Sequence, residues 1–332
     1  MVFVDMKVIR DLPKVELHVH LEGAIPKETV LSLAAEQNAA LPRQERDLFS
    51  FQELGGFLRF LDWMCGLVRE QATLETIAYD FAFRSSRQGI VYSEVIVNPT
   101  HWRALDLEQL VEAVHAGFDR AQEDGLADCR ILLSLARHQT EKEARDLVEW
   151  LRVYRPNRVV GISVDGDEGA AGRTGPKFAG AYTMAESLGY GLTAHAGESS
   201  GPEGVYDALD VLGVHRIDHG VRAVEDQKLV RRLAQDHVPL NICVSSNLAL
   251  LYPDLSNHPV GALYEAGIPV TINTDDPELL GVTLNDEFQM VSEALGWKVE
   301  DLTRVTEYAI SAAFCEESKK RELRKSLRES LS

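Results

Sequence analysis

Runs rich in Val, Ile and Leu alternate along this chain with longer stretches whose apolar positions return every three or four residues. The first rhythm is that of a buried strand, the second that of a helix with one face on a core. The opening strand is expected to end in Val15-Glu16-Leu17-His18-Val19-His20-Leu21-Glu22-Gly23. Pro26 to Gln37 predicts a helix, and residues 38 to 54 read as polar and irregular. Helices are expected over about 55–70 and 73–88, with Phe57, Leu58, Phe60, Leu61 and Met64 along one side of the first. Those residues read as core, with a lid over the end of the opening strand as the functional alternative.

From Gly89 onward the alternation is regular. Strands are expected at 90–97, 129–135, 158–164, 191–195, 215–220, 238–243 and 268–276. Between them lie helical patterns over about 106–124, 140–154, 177–188, 203–211 and 225–236, then one further crossover. Strands and helices alternating in this way predict an α/β fold, a (β/α)₈ TIM barrel with extra helices after the first strand and at the C-terminus. The C-terminal extras fall at about 284–296 and 300–315, and residues 316–332 read as a charged helix or fraying tail with a solvated face. A doubly wound open sheet would want a glycine-rich phosphate loop, and no GxGxxG follows any of these strands. With no repeat, linker or low-complexity segment, residues 1–332 are expected to form a single domain.

Composition narrows the partners. The formal charge of −18 is the wrong sign for a nucleic-acid backbone, although it leaves room for a small nucleotide-like ligand. No stretch approaches the length of a membrane span, and the N-terminus is too short and polar for a signal peptide, so a cytoplasmic location is expected. Cys65, Cys129, Cys243 and Cys315 form no CxxC pair, so they are expected to be reduced thiols, several in the core.

The candidate chemistry lies in where the polar residues fall. His18 and His20 end the first strand, His195 with Gly197 and Glu198 the fifth, His219 the sixth, Asp275 and Asp276 the eighth, and Asp165 to Glu168 the fourth. Two histidines two apart on a strand leave the same face, and in a barrel the C-terminal strand ends meet on one rim. Three histidines and a carboxylate are an N/O set suited to zinc, which acidifies a water from 15.7 towards about 7. The lysine that bridges two metals in some barrel hydrolases has no counterpart at the end of strand four, where the next lysine is Lys177; one metal is expected. Glu198 is placed to take the metal, support a ligand or carry a proton, and His219 to orient or deprotonate the water.

These residues carry a resemblance. His18-Val19-His20-Leu21-Glu22-Gly23, Gly166-Asp167-Glu168, His195-Ala196-Gly197-Glu198, Arg216-Ile217-Asp218-His219-Gly220, Ser245-Ser246-Asn247 and Asn273-Thr274-Asp275-Asp276-Pro277 resemble, over essentially the whole chain, the adenosine/adenine deaminases of the amidohydrolase superfamily. The resemblance implies hydrolytic deamination of a small 6-aminopurine. It implies one Zn²⁺ per chain on His18, His20, His195 and Asp275. It further implies that Glu198 protonates purine N1, that His219 aligns the hydroxide or takes its proton, and that Asp276 meets N7 and the Gly166 amide N3, with His20 and Glu22 also facing substrate. Adenosine deaminases usually carry Asp where Glu22 stands; Glu is the form of adenine and aminodeoxyfutalosine deaminases. Gly166-Asp167-Glu168, by contrast, is the usual adenosine deaminase form, and Val244-Ser245-Ser246-Asn247 departs from the usual Cys-Pro-x-Ser-Asn ending. Adenosine is therefore the first expectation, with adenine or a 5′-modified adenosine as alternatives. A non-catalytic barrel predicts a broken ligand or acid position, and none is broken. A phosphate-binding barrel would want glycines where Asn273-Thr274-Asp275-Asp276 stands.

Overall fold

The computed structural model describes residues 4–51 and 54–331. Met1 to Phe3 of the N-terminal stretch, positions 52–53 of the irregular segment and Ser332 of the tail lie outside the described residues. Eight parallel strands pair in chain order: β1 Lys14–His20, β2 Ile90–Val97, β3 Asp128–Ala136, β4 Val159–Asp165, β5 Gly191–Ala196, β6 Arg216–His219, β7 Leu240–Ile242 and β8 Val270–Ile272. The strands are buried almost throughout, as parallel strands covered by helices must be. A bridge between Val19 and Asp275 joins β8 to β1 and nearly closes the barrel. This is the TIM-type barrel the alternation predicts, with extra helices at Leu54–Cys65 and Gln71–Arg87 before β2 and at Leu284–Leu295, Val299–Ala312 and Glu317–Ser330 after β8.

Local chemistry explains the crossover helices. Helix Leu107–Glu123 starts on a capping box from Asp106 and Gln109, and buries Leu110, Val111, Val114 and Phe118. Helix Glu141–Tyr154 starts on the equivalent box from Thr140 and Glu143. Among the described residues no helix is long and apolar enough to cross a membrane.

Four features differ from the sequence expectation, and the first has a clear physical cause. β7 and β8 begin after Pro239 and Pro269, which have no N–H to give a ladder and contribute only their carbonyls, to Ile217 and Leu240. The short helix before β6 covers Pro202–Asp207 and runs into a wider turn at Ala208–Leu212. The last crossover contains two helices, Val244–Leu250 and Val260–Glu265. The C-terminal segment is not simply a solvated face: Leu323 and Leu327, four residues apart on the helix, are buried.

Two features of the barrel set the position of the site. β1 carries an irregularity between Glu16 and Val19, and the amides of Leu17 and His18 both donate to Oδ1 of Asn273, at 2.8 and 3.1 Å. An extra residue in a strand shifts its two-residue alternation. Glu16 accordingly bonds Thr274 Oγ1 at 2.7 Å and lines a separate cavity with Phe81 and Gln88, while His18 joins the other strand ends. Deeper in the fold, Arg216 is fully buried, 2.6 Å from Glu94 Oε2, with its guanidinium 4.0 Å over the Phe314 ring. Removing either charge would strand the other in the interior, a cost of about 3–5 kcal/mol.

Candidate active site

Nε2 of His18 lies 3.1 Å from Asp275 Oδ1, and Nε2 of His20 lies 3.4 Å from the same oxygen and 3.1 Å from Nε2 of His195. His219 joins them: one ligand atom from each of His18, His195, His219 and Asp275 lies within 4.8 Å of all the others. This is a buried His/His/His/Asp metal site. The donor set fits a cation of the zinc type, because imidazole nitrogens facing one another beside a carboxylate oxygen are relieved by a shared positive ion. Asp275 and His219 both hold left-handed backbone, with φ of 65° and 66°. That conformation is rare for residues with a side chain and clusters at functional sites. At Asp275 it is fixed by ladder bonds on both sides, His20 N–H to its carbonyl at 2.7 Å and its own N–H to His18 O at 3.2 Å.

Behind the cluster stands Asp218. Its carboxylate oxygens lie 3.5 Å from Nδ1 of His18 and 3.7 Å from Nδ1 of His195, the nitrogens turned away from the convergence point. Burial alone would raise its pKa, but the His18 and His195 imidazoles hold it well below the usual carboxylate range. Asn241 Nδ2 donates to it at 2.8 Å and Ser163 Oγ at 3.2 Å. A carboxylate behind a ligand imidazole fixes ring orientation and raises its basicity. Asp218→Asn is therefore expected to weaken metal binding about 10–100-fold with the fold intact, measured by competition with a chromophoric chelator; an unchanged affinity would show Asp218 to be structural only. Ser246 Oγ secures the last ligand, donating to Asp275 Oδ2 at 2.6 Å.

Glu198 follows β5 after the Gly197 turn and faces His219, with Oε1 3.5 Å from Nε2. Burial, then Asp275 and Glu168, push its pKa up to about 8, so it carries a proton at neutral pH. Burial, then His18, push His219 down to about 3, leaving a neutral ring. The loop is held from β4: Glu168 accepts from the amides of Gly197, Glu198 and Ser200 and from Ser200 Oγ, at 3.2, 2.9, 3.3 and 2.8 Å. Arg137, just past the end of β3, ties that strand to the ends of β4 and β5, donating to the carbonyls of Gly166 and His195.

Asp276, next to the ligand Asp275, has its pKa pushed well up by burial and then by the Asp275 and Glu22 carboxylates. Its Oδ1 is buried without a partner. A Cβ added at Gly23 would stand 1.9 Å from that oxygen, so the glycine of the opening motif is what lets the Asp276 carboxyl lie there. Gly166 lies on the same rim in left-handed backbone, with φ of 98°.

The cavity over this cluster has a volume of about 260 Å³, a little below the roughly 300–1,000 Å³ typical of small-molecule sites. His20, Glu22, Gly166, His195, Glu198, His219, Asp275 and Asp276 all line it. His18 is fully buried behind them. Phe57, Leu58 and Leu61 of the first extra helix line it too, with Phe49 and Phe51, so part of the apolar stripe read as core covers the pocket, while Phe60 and Met64 are buried in the core beneath. Glu22 is fully buried, and Oε1 accepts from Asn98 N–H at 2.8 Å and Trp102 Nε1–H at 2.7 Å, while Oε2 has no partner.

Every site residue expected from the sequence is brought to this rim. Asp218, Ser246, Arg137 and Trp102 join the site without a role expected from the sequence, and Glu168 with none beyond its motif. Asp218 and Glu168 stood inside quoted motifs, and an acidic residue beside a strand-end histidine was the available signal. Arg137 and Trp102 had none, since their partners are distant in sequence.

The adenosine deaminase family profile matches residues 13–330. An adenine deaminase of Sinorhizobium fredii is 35% identical over 310 residues, which span 92% of this chain and 95% of that protein. Among solved structures, an adenine deaminase from Arthrobacter aurescens is similar with a TM-score of 0.90 at 28% identity, over 96% of this chain and 99% of that one. An amidohydrolase from Burkholderia ambifaria with bound Zn is similar with a TM-score of 0.90 at 28% identity, over 98% and 92%.

Proposed function

Because this chain belongs to the adenosine deaminase family and is a hydrolytic deaminase of cyclic amidines, we propose that its substrate is free adenine, which it converts with water to hypoxanthine and ammonia. The observation that carries this is the unpartnered Oε2 of Glu22, buried on the cavity wall while Oε1 is pinned by Asn98 and Trp102. A free base has an N9–H to donate to such an oxygen. A nucleoside has a sugar on N9 in place of that hydrogen, so its base edge has nothing to donate there and the pocket must also admit the ribose. Relatives named adenine deaminases, at 33–35% identity over most of the chain, support the same choice. Adenosine, the first expectation from the motifs, becomes the alternative.

In this reading His18, His20, His195 and Asp275 hold one Zn²⁺, as the bound Zn of a structural relative supports. The ion's contribution when bound is an acidified water. Glu198, protonated near neutrality, gives its proton to purine N1 and so makes C6 electron-poor. Asp276, kept protonated by burial and by the Asp275 and Glu22 carboxylates, donates to N7, and the Gly166 amide donates to N3. The apolar wall of Phe57, Leu58 and Leu61 excludes bulk water and strengthens each of these contacts.

An ultraviolet assay with adenine, adenosine, 2′-deoxyadenosine, AMP and aminodeoxyfutalosine tests the reading. Adenine is expected to exceed every N9-substituted compound in kcat/KM by about 10²-fold or more, and a preference for any of them would overturn it. Glu22→Gln should lose roughly 10–100-fold in kcat/KM for adenine, the worth of one hydrogen bond to a charged group, with bound metal unchanged.

A further inference from the structure

Three hydrogen bonds in series lead from the backbone to His219. The amide N–H of Val260 donates to Nδ1 of His258 at 3.2 Å. A backbone N–H can only donate, so Nδ1 of His258 presents its lone pair and the neutral ring carries its hydrogen on Nε2. Burial pushes His258 down to about 4, which keeps the ring neutral at ordinary pH. Tyr252 packs edge-on at 5.1 Å and restrains the ring.

Nε2 of His258 lies 3.2 Å from Oδ1 of Asn247, which therefore accepts. The other end of that amide, Nδ2, lies 3.2 Å from Nδ1 of His219. An amide nitrogen can only donate, so Nδ1 of His219 accepts and the hydrogen of its neutral ring sits on Nε2. Turning the Asn247 amide over would set donor against donor at His258. Nε2 of His219 is buried with no hydrogen-bond partner, 3.5 Å from Glu198 Oε1 and 3.9 Å from Asp275 Oδ2, and the residue lines the cavity.

We propose that Asn247 and His258 are positioning residues that fix His219 in its Nε2–H form, so that His219 meets the reacting oxygen as a hydrogen-bond donor. His219 then aligns that oxygen and stabilises its negative charge, and a neutral Nε2–H nitrogen takes up no further proton. A nitrogen that carries hydrogen has no lone pair for a metal. His219 thus stands outside the ligand set although it lies within reach of it. His18, His20, His195 and Asp275 remain as the ligands.

The activity arm of the test rests on the proposed deamination; the spectroscopic arm does not. In zinc-loaded full-length protein labelled with ¹⁵N-histidine, long-range ¹H–¹⁵N correlations distinguish the two tautomers of each ring, with His219→Gln and His258→Gln assigning the signals. His219 and His258 should both report Nε2–H, and an Nδ1–H signal for His219 overturns the proposal. In Asn247→Asp the carboxylate accepts from both neighbours, so His219 should switch to Nδ1–H with its zinc retained. The same variant should lose about 10²-fold in kcat, the worth of one donor to a developing oxyanion, with KM for adenine within about twofold. A second pair of variants keeps the test independent of that substitution. His258→Gln retains a donor towards Asn247 and should keep the parent tautomer, whereas His258→Leu should populate both; the same spectrum from the two would remove His258 from the relay. A parent enzyme inactive on every aminopurine but showing Nε2–H at His219 would sink the substrate reading and leave the relay standing.

Discussion

Glu198→Gln is expected to keep its metal and lose on the order of 10²–10⁴-fold in kcat, the contribution of a positioned general acid. The substitution preserves size and polarity, so the amide can still lie against His219, where the carboxylate is 3.5 Å from Nε2. What disappears is the transferable proton. That proton is present near neutrality because burial, then the Asp275 and Glu168 carboxylates, push the Glu198 pKa up to about 8. The parent's kcat/KM should accordingly fall as pH rises through about 8, because the acid is lost by deprotonation. In the Gln variant the remaining slow turnover should show no such limb. Metal content and single-turnover rates measured on the same preparations separate a lost acid from a lost ion. A variant within threefold of the parent would take Glu198 out of the chemistry.

Asp275→Asn should have the other large effect, loss of the metal and of activity with it. Asn is the informative choice because it tolerates the left-handed backbone, φ 65°, that Asp275 adopts. Its backbone bonds to His18 and His20 can therefore persist, as can the bridge between β8 and β1. The change removes the negative charge facing His18 and His20 Nε2 at 3.1 and 3.4 Å. Affinity should fall by more than the roughly 10–100-fold expected for losing a partner behind a ligand, so Asp275→Asn should be weaker than Asp218→Asn. Metal analysis after gel filtration should find about one zinc per parent chain and far less in the variant. Full occupancy together with lost activity would place Asp275 outside the ligand set.

The barrel was legible because its signals are local. Val-, Ile- and Leu-rich runs broken by glycines and separated by capped amphipathic stretches predict strand and helix without knowledge of what each packs on. The strand-end residues His18, His20, His195, His219 and Asp275 were legible for a related reason: parallel βα order brings those ends to one rim whatever the loops do. Strand lengths were less legible, since Pro239 and Pro269 shorten β7 and β8 through pairings that sequence periodicity does not contain. The apolar stripe of Leu54–Cys65 shows a similar limit. Its period gave a helix, but not that Phe57, Leu58 and Leu61 would face the cavity.

By itself, then, the sequence determined a barrel, the rim on which its chemistry lies and the donor set gathered there. Tertiary structure decided how those donors are used. It turned Nε2 of His18, His20 and His195 towards one point by backing two of the rings with Asp218. It let Asp276 lie where only a glycine at position 23 leaves room. It pinned one oxygen of Glu22 with Asn98 and Trp102 and left the other without a partner. Each of these rests on atoms from residues far apart in the chain, and hydrogen bonding and desolvation act through distance in space, which no local pattern of residues encodes.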